Sequence, residues 1–336
     1  MVKLKDIAEV IGVSVATVSK ALNNSHEISK ETTDLIVKTA KEMGYIANSS
    51  ARNLKTNRSY NIGVVYEDKT NVGLKHEYFS TVLASIQETL RTHGYDLTFI
   101  SNIVGKTKHT ILSHARYRRV DGIIIVTADF FDEEILELIN SSMPVVTIDH
   151  VYPNRTAIVS DNSAGLGKIV EYIYSQGHRK IAFIHGEMTS VTRDRLKSFY
   201  DTCEKLNIFV PNDYVKTAQY HIPKFSGLAT RELLALDERP TCIIYPDDYS
   251  FMGGMTEIEK HGLKIPEDIS VVGYDGIYLS KILRPILTTY IQDSDEIGNK
   301  AALKIIEQIE NPKDFLPESI VIKGKLAVGE TVKKIY

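Results

Sequence analysis

Residues 4–22 read LKDIAEVIGVSVATVSKAL, and the spacing of their apolar side chains decides how the chain begins. Leu4, Ile7, Ala8 and Ile11 recur at helical intervals, Gly12 interrupts, and Ser14 is placed to cap a second helix over Val15–Leu22. Two short helices joined by a tight turn make a helix-turn-helix. A third helix is announced by Ser29 as N-cap with Glu31 in its first turn, runs through Leu35, Ile36, Thr39 and Met43, and ends at Gly44. Helices this short are marginal alone, so the three must pack on one another. Periodicity by itself leaves a plain three-helix bundle equally open.

The second helix carries the chemistry. Val15, Ala16, Thr17 and Lys20 form an exposed face beside the core positions Val18 and Leu22. Ala16 and the Thr17 methyl suit a thymine methyl, the Thr17 hydroxyl suits a base edge or phosphate, and Lys20 suits guanine acceptors or backbone. Ser14, Ser19 and Asn23 are phosphate positioners or caps. The alternative for Lys20 is a solvated helix lysine.

Over the whole chain the numbers are those of an ordinary soluble protein: 336 residues, 43% apolar, 25% charged, enough for two to three cores. The net charge of −3 hides an asymmetry, because residues 1–60 carry nine Lys/Arg against six Asp/Glu while the remainder is acidic. A cationic head on an acidic body fits a nucleic-acid contact at the head. The longest apolar runs, such as Gly122–Val126 and Val145–Ile148, fall far short of the roughly 20 residues of a membrane helix, and charges at Lys3, Lys5, Asp6 and Glu9 argue against a signal peptide. The two cysteines, Cys203 and Cys242, signal neither a disulfide framework nor a thiolate zinc site, so a cytoplasmic protein without a cofactor or metal is expected.

LKDIAEVIGVSVATVSKALN, followed by EISKETTDLIVKTAKEMGYIAN and ARNLKT, resembles in register the helix-turn-helix, third helix and hinge of the LacI/GalR family of transcription regulators. The hinge, SSARNLKTNRSY at 49–60, is polar with Leu54 as its one large apolar residue. The resemblance implies hinge helices from two subunits paired in the minor groove, with Leu54 wedged between base pairs and Ala51, Arg52 and Lys55 beside it. Without the resemblance the segment reads as a disordered linker. Ala47 stands where many members carry proline. A paired hinge requires at least a homodimer, reading a pseudo-palindromic operator with one head per half-site.

From Ile62 onward, buried-strand runs (IGVVY, DLTFI, GIIIV, VVTID, then KIAFIHG, TCIIY, ISVVGYD) alternate with helical patterns, and Gly94, Gly177 and Gly262 sit at helix ends. The fold class is multidomain: an all-α head, a hinge, and an α/β body of two doubly wound parallel-sheet lobes, with a ligand cleft at facing strand ends. The resemblance covers this body through RLKSFYD, GLKIPEDISVVGYDG and ILTTY. It implies a periplasmic-binding-protein-like fold with three crossings between lobes. The expected domains are 1–48, 49–60 and 61–336, the last split into an N-lobe of about 61–159 plus 291–319 and a C-lobe of about 160–290 plus 320–336.

Arg195 and Asp275 match the family positions that hold a sugar, and a guanidinium fork with a carboxylate can orient a polyol. An Arg–Asp ion pair closing the lobes is the alternative. Asp149 and Asp247 occupy similar strand ends. Asp247 replaces the asparagine usual in the family, which points either to a donor-rich or cationic ligand or to Asp247 or Asp248 as a helix cap. Tyr78 and Phe79 stand where an aromatic stacks on a ring ligand, in a long charged loop, with ordinary core packing as the alternative for Phe79. His150 and Asp161 border the same cleft or serve as a surface histidine and a helix cap. The expected partner is a saccharide-like effector, with a protein co-effector or a free sugar-binding protein as alternatives. No phosphate loop, nucleophile elbow or metal motif is present, and His76-Glu77 lacks a second histidine, so no enzyme is expected.

Overall fold

The computed structural model describes residues 2–22, 25–45, 58–67, 73–104 and 106–336, which fall into two compact units, Met1–Ser59 and Tyr60–Tyr336. In the first unit, α1 (Leu4–Ile11), α2 (Val15–Leu22) and α3 (Lys30–Glu42) enclose a core of Ile7, Ala8, Val18, Ala21, Ile36 and Ala40. Gly12 ends α1 in the left-handed region at φ 77°, where its N–H reaches the Ala8 carbonyl. The Ser14 side chain accepts from Thr17 N–H at 3.0 Å and the Ser29 side chain from Thr32 N–H, so both expected caps are in place. Leu35 faces outward, half exposed, because the buried stripe of α3 runs through Ile36 and Ala40.

Among the described residues the second unit holds two six-stranded sheets and one small two-stranded sheet. The N-lobe comprises β1 (Asn61–Tyr66), α4 (Glu77–Thr92), β2 (Asp96–Ile100), the hairpin β3–β4 (Ile103–Val104, Thr107–Lys108), α5 (Ile111–Arg118), β5 (Gly122–Thr127), α6 (Glu133–Ile139), β6 (Val145–Ile148) and β7 (Thr156–Ser160). The chain then builds the C-lobe with α7 (Asn162–Ser175), β8 (Ile181–His185), α8 (Ser190–Lys205), β9 (Val215–Thr217), α9 (Pro223–Leu234), β10 (Cys242–Ile244), α10 (Phe251–Lys260), β11 (Ser270–Asp275), α11 (Tyr278–Ile282) and β12 (Thr288–Ile291). It returns to the N-lobe as α12 (Ser294–Glu310) and β13 (Ser319–Ile322), and ends in the C-lobe with β14 (Lys325–Ala327).

The strand orders are β13-β7-β6-β5-β1-β2 and β14-β12-β11-β10-β8-β9, parallel except where β14 runs against β12. β13 pairs with β7 through Ile322, so residues 320–322 belong to the N-lobe sheet and the last crossing falls after them rather than after residue 319. The β-branched runs are buried on both faces as expected: Ile62, Val64 and Ile124 pack beneath α4 and α12, while Val65, Ile123 and Ile125 pack on the other side beneath α5 and α6. Each such side chain contributes about 1.5–3 kcal/mol of burial. α12 lies close against α4, since a Cβ on Gly298 would meet the Val82 carbonyl at 2.4 Å. In both sheets the carboxyl ends of the strands face the space between the lobes, which is where the doubly wound topology leaves a crevice.

Candidate functional site

In the first unit, Val15 and Ala16 are exposed on α2 and Thr17 is half-buried. The Thr17 hydroxyl lies 2.8 Å from that of Ser14, so the cap also holds the Thr17 side chain. Ser14 thereby takes the capping role. Ser19 is half-buried, and the Lys20 ammonium sits 2.5 Å from a Glu27 carboxylate oxygen. Asn23, Ala51, Arg52, Leu54 and Lys55 lie outside the described residues.

Between the lobes of the second unit lies a cavity of about 440 Å³. Arg195 of α8 and Asp275 at the end of β11 border it together. Arg195 is 4% exposed; its Nε donates to Asn162 Oδ1 at 2.9 Å, its Nη1 donates to the Pro246 carbonyl at 3.0 Å, and its guanidinium lies 3.5 Å from the centre of the Tyr274 ring. Burial opposes its charge, but Tyr274, Tyr220, Asp275 and Asp149 outweigh that and hold it protonated. Among the described residues it makes no ion pair, so the lobe-closing Arg–Asp pair does not form, and Nη2 remains for a guest.

Asp275 has φ 99°, a left-handed backbone that turns its carboxylate into the cleft before Gly276. Its Oδ1 accepts from Gln292 Nε2 at 2.7 Å. Burial first, then the neighbouring Asp247 charge, pushes its pKa up to about 7 against the pull of Arg195 and the Gln292 bond. Gln292, immediately after β12, is buried, and its Oε1 has no hydrogen-bond partner among the described residues.

Two of the expected ligand residues do other work. Asp247, 2% exposed, accepts from Ser250 N–H at 2.7 Å, the Ser250 hydroxyl at 2.7 Å and His221 N–H at 2.8 Å. The alternative of a cap is therefore the observed one: protein donors occupy its oxygens, and it gives the cleft charge rather than a free acceptor. Asp248 likewise accepts from the Thr289 hydroxyl and Ile277 N–H. Asp149, at φ 55°, accepts from Ser160 N–H at 2.7 Å and from the Tyr78 hydroxyl at 3.3 Å, so it anchors the buried Tyr78 while bordering the cavity. Burial raises its pKa, and the Ser160 bonds oppose the rise.

Aromatic rings form the walls. Phe79 is half-buried and lines the cavity, packed on Tyr78 and His76. His150 also lines the cavity, stacked on Phe130 at 4.4 Å, whereas Asp161 caps α7 through Ala164 N–H. Sequence reading missed His76, Phe130, Tyr220, His221 and Gln292. His76 from the N-lobe stacks on His221 from the C-lobe, which stacks on Tyr249, with centroids 3.9 and 4.2 Å apart. The Ser190 hydroxyl also crosses the cleft, donating to the Asp149 carbonyl. The lobes are thus held in contact around the cavity. Among the described residues no helix is long and apolar enough to cross a membrane, and no group of three or more His, Cys, Asp or Glu could hold a metal.

Comparison with known proteins agrees with this architecture. Residues 3–48 match the model of bacterial regulatory proteins of the lacI family, and residues 170–332 match a periplasmic binding protein-like domain. The chain is 30% identical to the HTH-type transcriptional repressor PurR of Pasteurella multocida (strain Pm70) over 99% of both chains. It is 29% identical to the repressor of the same name from Mannheimia succiniciproducens over 100% of both. A lac repressor dimer bound to operator and the anti-inducer ONPF superposes with a TM-score of 0.84 at 24% identity, over 99% of each chain.

Proposed function

The chain belongs to the lacI family of bacterial regulatory proteins and is a DNA-binding transcriptional repressor, and we propose that its grip on a pseudo-palindromic operator is set by a small ring-bearing polar effector, of the saccharide or polyol type, held between the two lobes of the second unit. The observation that carries this reading is the convergence of Arg195, Asp275 and the Gln292 amide inside an aromatic-walled cavity at the junction of two lobes. A guest there touches both lobes, so it binds one lobe arrangement more tightly than another and shifts the balance between them.

In this reading Val15, Ala16, Thr17 and Lys20 read the major groove as part of a homodimer in the cytoplasm, and residues 49–60 fold on DNA with Leu54 as the minor-groove wedge. The named neighbour, a lac repressor dimer on operator, supports the dimeric arrangement. Thermal-shift screening of the full chain against neutral sugars, amino sugars, sugar phosphates and nucleobases, followed by operator titration with each compound that raises the midpoint, tests it. A stabilising compound that changes operator affinity supports the reading; saturation of the cleft with no change in operator affinity defeats it.

A further inference from the structure

The cleft carries an imbalance that a neutral guest leaves uncorrected. Asp149, Asp275, Asp247 and Glu187 border it, while Arg195 is the one permanent cation among its described lining residues. Arg195 already donates to Asn162 and Pro246, which leaves Nη2 as its remaining donor group. The acceptors outnumber it. Asp247 accepts from three protein donors and Glu187 accepts from Tyr220 N–H, so both carboxylates already hold protein partners at the edge of the cavity. Among the described residues Asp275 has one oxygen bonded to Gln292 and the other without a hydrogen-bond partner, and Gln292 Oε1 is a buried acceptor without one.

A buried acceptor without a donor is destabilising, and a buried carboxylate without a counter-charge is more so. A hydroxyl brings one donor and two acceptor lone pairs, so a neutral polyol would bring acceptors into a site short of donors. A protonated amine brings three donors, no acceptor, and the missing charge.

Resting on the effector reading above, we propose that the cleft takes a small ring compound bearing a protonated amine, an amino sugar being its polyol form, with the ammonium seated on Asp275 and the ring against Phe79. The raised Asp275 carboxyl agrees with this, because a cation seated beside it would draw its proton off.

The test uses the full-length chain and matched probes: glucosamine against glucose and N-acetylglucosamine, galactosamine against galactose, with glucose 6-phosphate as the anionic member. Calorimetry at pH 6.5 in two buffers of different ionisation enthalpy gives affinity and proton count together. The amine is expected to bind at least tenfold tighter than its hydroxyl and N-acetyl counterparts, and to release roughly half a proton or more as Asp275 ionises. Asp275→Asn is expected to shrink the amine preference, read as the ratio of amine to matched neutral sugar affinity in the same variant, below threefold. Should that variant fail to fold, the proton count on the unaltered protein decides. Equal or tighter binding of a neutral or anionic member, no binding by either amine, or amine binding without proton release overturns the proposal. Operator titration separates the two readings: a neutral compound that alters operator affinity defeats only the amine assignment, and an amine that binds without altering it defeats only the effector role.

Discussion

The imidazole of His76, in the N-lobe, stacks on that of His221, in the C-lobe, with ring centroids 3.9 Å apart and planes within 18°. This contact joins the lobes beside the cavity, and His221 is held for it by a backbone bond to Asp247. A stacked pair contributes about 0.5–1.5 kcal/mol beyond its buried area, so it sets part of the balance between open and closed lobes. His221→Ala should weaken cleft binding of glucosamine, or of whichever screened compound raises the thermal midpoint, by about 3–10-fold, read by calorimetry. A change under twofold would mean that the stack does not support closure.

Arg195→Lys keeps the charge but removes the planar fork that reaches Asn162, Pro246 and the cleft at once. The expected outcome is loss of the ligand's effect on operator affinity, with affinity in its absence within about threefold of the original. Fluorescence anisotropy on a labelled operator duplex measures both. An undiminished ligand effect would remove Arg195 from the site.

Asp275 gives a pH signature. Its pKa is pushed up to about 7 in the folded protein, chiefly by burial and by Asp247, while an ordinary aspartate lies near 4. A carboxyl raised on folding contributes stability that is full below its unfolded value and is lost as pH rises through the folded one. Asp275→Asn removes that loss. The variant's stability relative to the unaltered protein should therefore grow by roughly 2 kcal/mol between pH 5 and pH 8. Urea unfolding of both at each pH measures the difference, which also cancels the opposing contributions of histidines such as His150 and His178, whose pKa values burial lowers. A difference independent of pH would contradict the placement of Asp275.

In the head, Lys20 must leave Glu27 to reach DNA, and an exposed pair of this kind is worth at most about 1 kcal/mol. Lys20→Ala should lower operator affinity and reduce the slope of log affinity against log salt by about one per head. Leu54→Ala, by contrast, should lower specific affinity at least tenfold and leave random duplex within threefold, because a wedge acts only where the site is kinked. Equal losses on both duplexes would defeat the wedge.

These sites differ in how far the sequence revealed them. The head was legible because Gly12, Ser14, Ser29 and Gly44 are local signals whose chemistry works within a turn. Asp275 was legible from strand-end position combined with resemblance, whereas Arg195 rested on resemblance alone, since it lies inside α8 and not at a strand end. Gln292 follows β12 as Asp149 follows β6, but nothing within ILTTY marks the residue after it as bordering a cleft. Tyr220 and His221 follow the three-residue strand β9, too short to show a β-branched run. Asp247 illustrates the converse. Its position was read correctly, but whether a carboxylate faces a guest or caps its own loop depends on the His221 backbone, 26 residues away in sequence.

In the proposed mechanism a guest between the lobes controls DNA binding, and a single titration decides whether it does. The full-length chain is titrated into a labelled operator duplex selected from a random library, without and with a saturating concentration of the compound that most raises its thermal midpoint. Allosteric coupling of ordinary size, about 1–3 kcal/mol, gives a 5–150-fold change in operator affinity, in either direction, and Arg195→Lys abolishes it. An operator affinity that stays within twofold while the cleft is saturated would contradict the account.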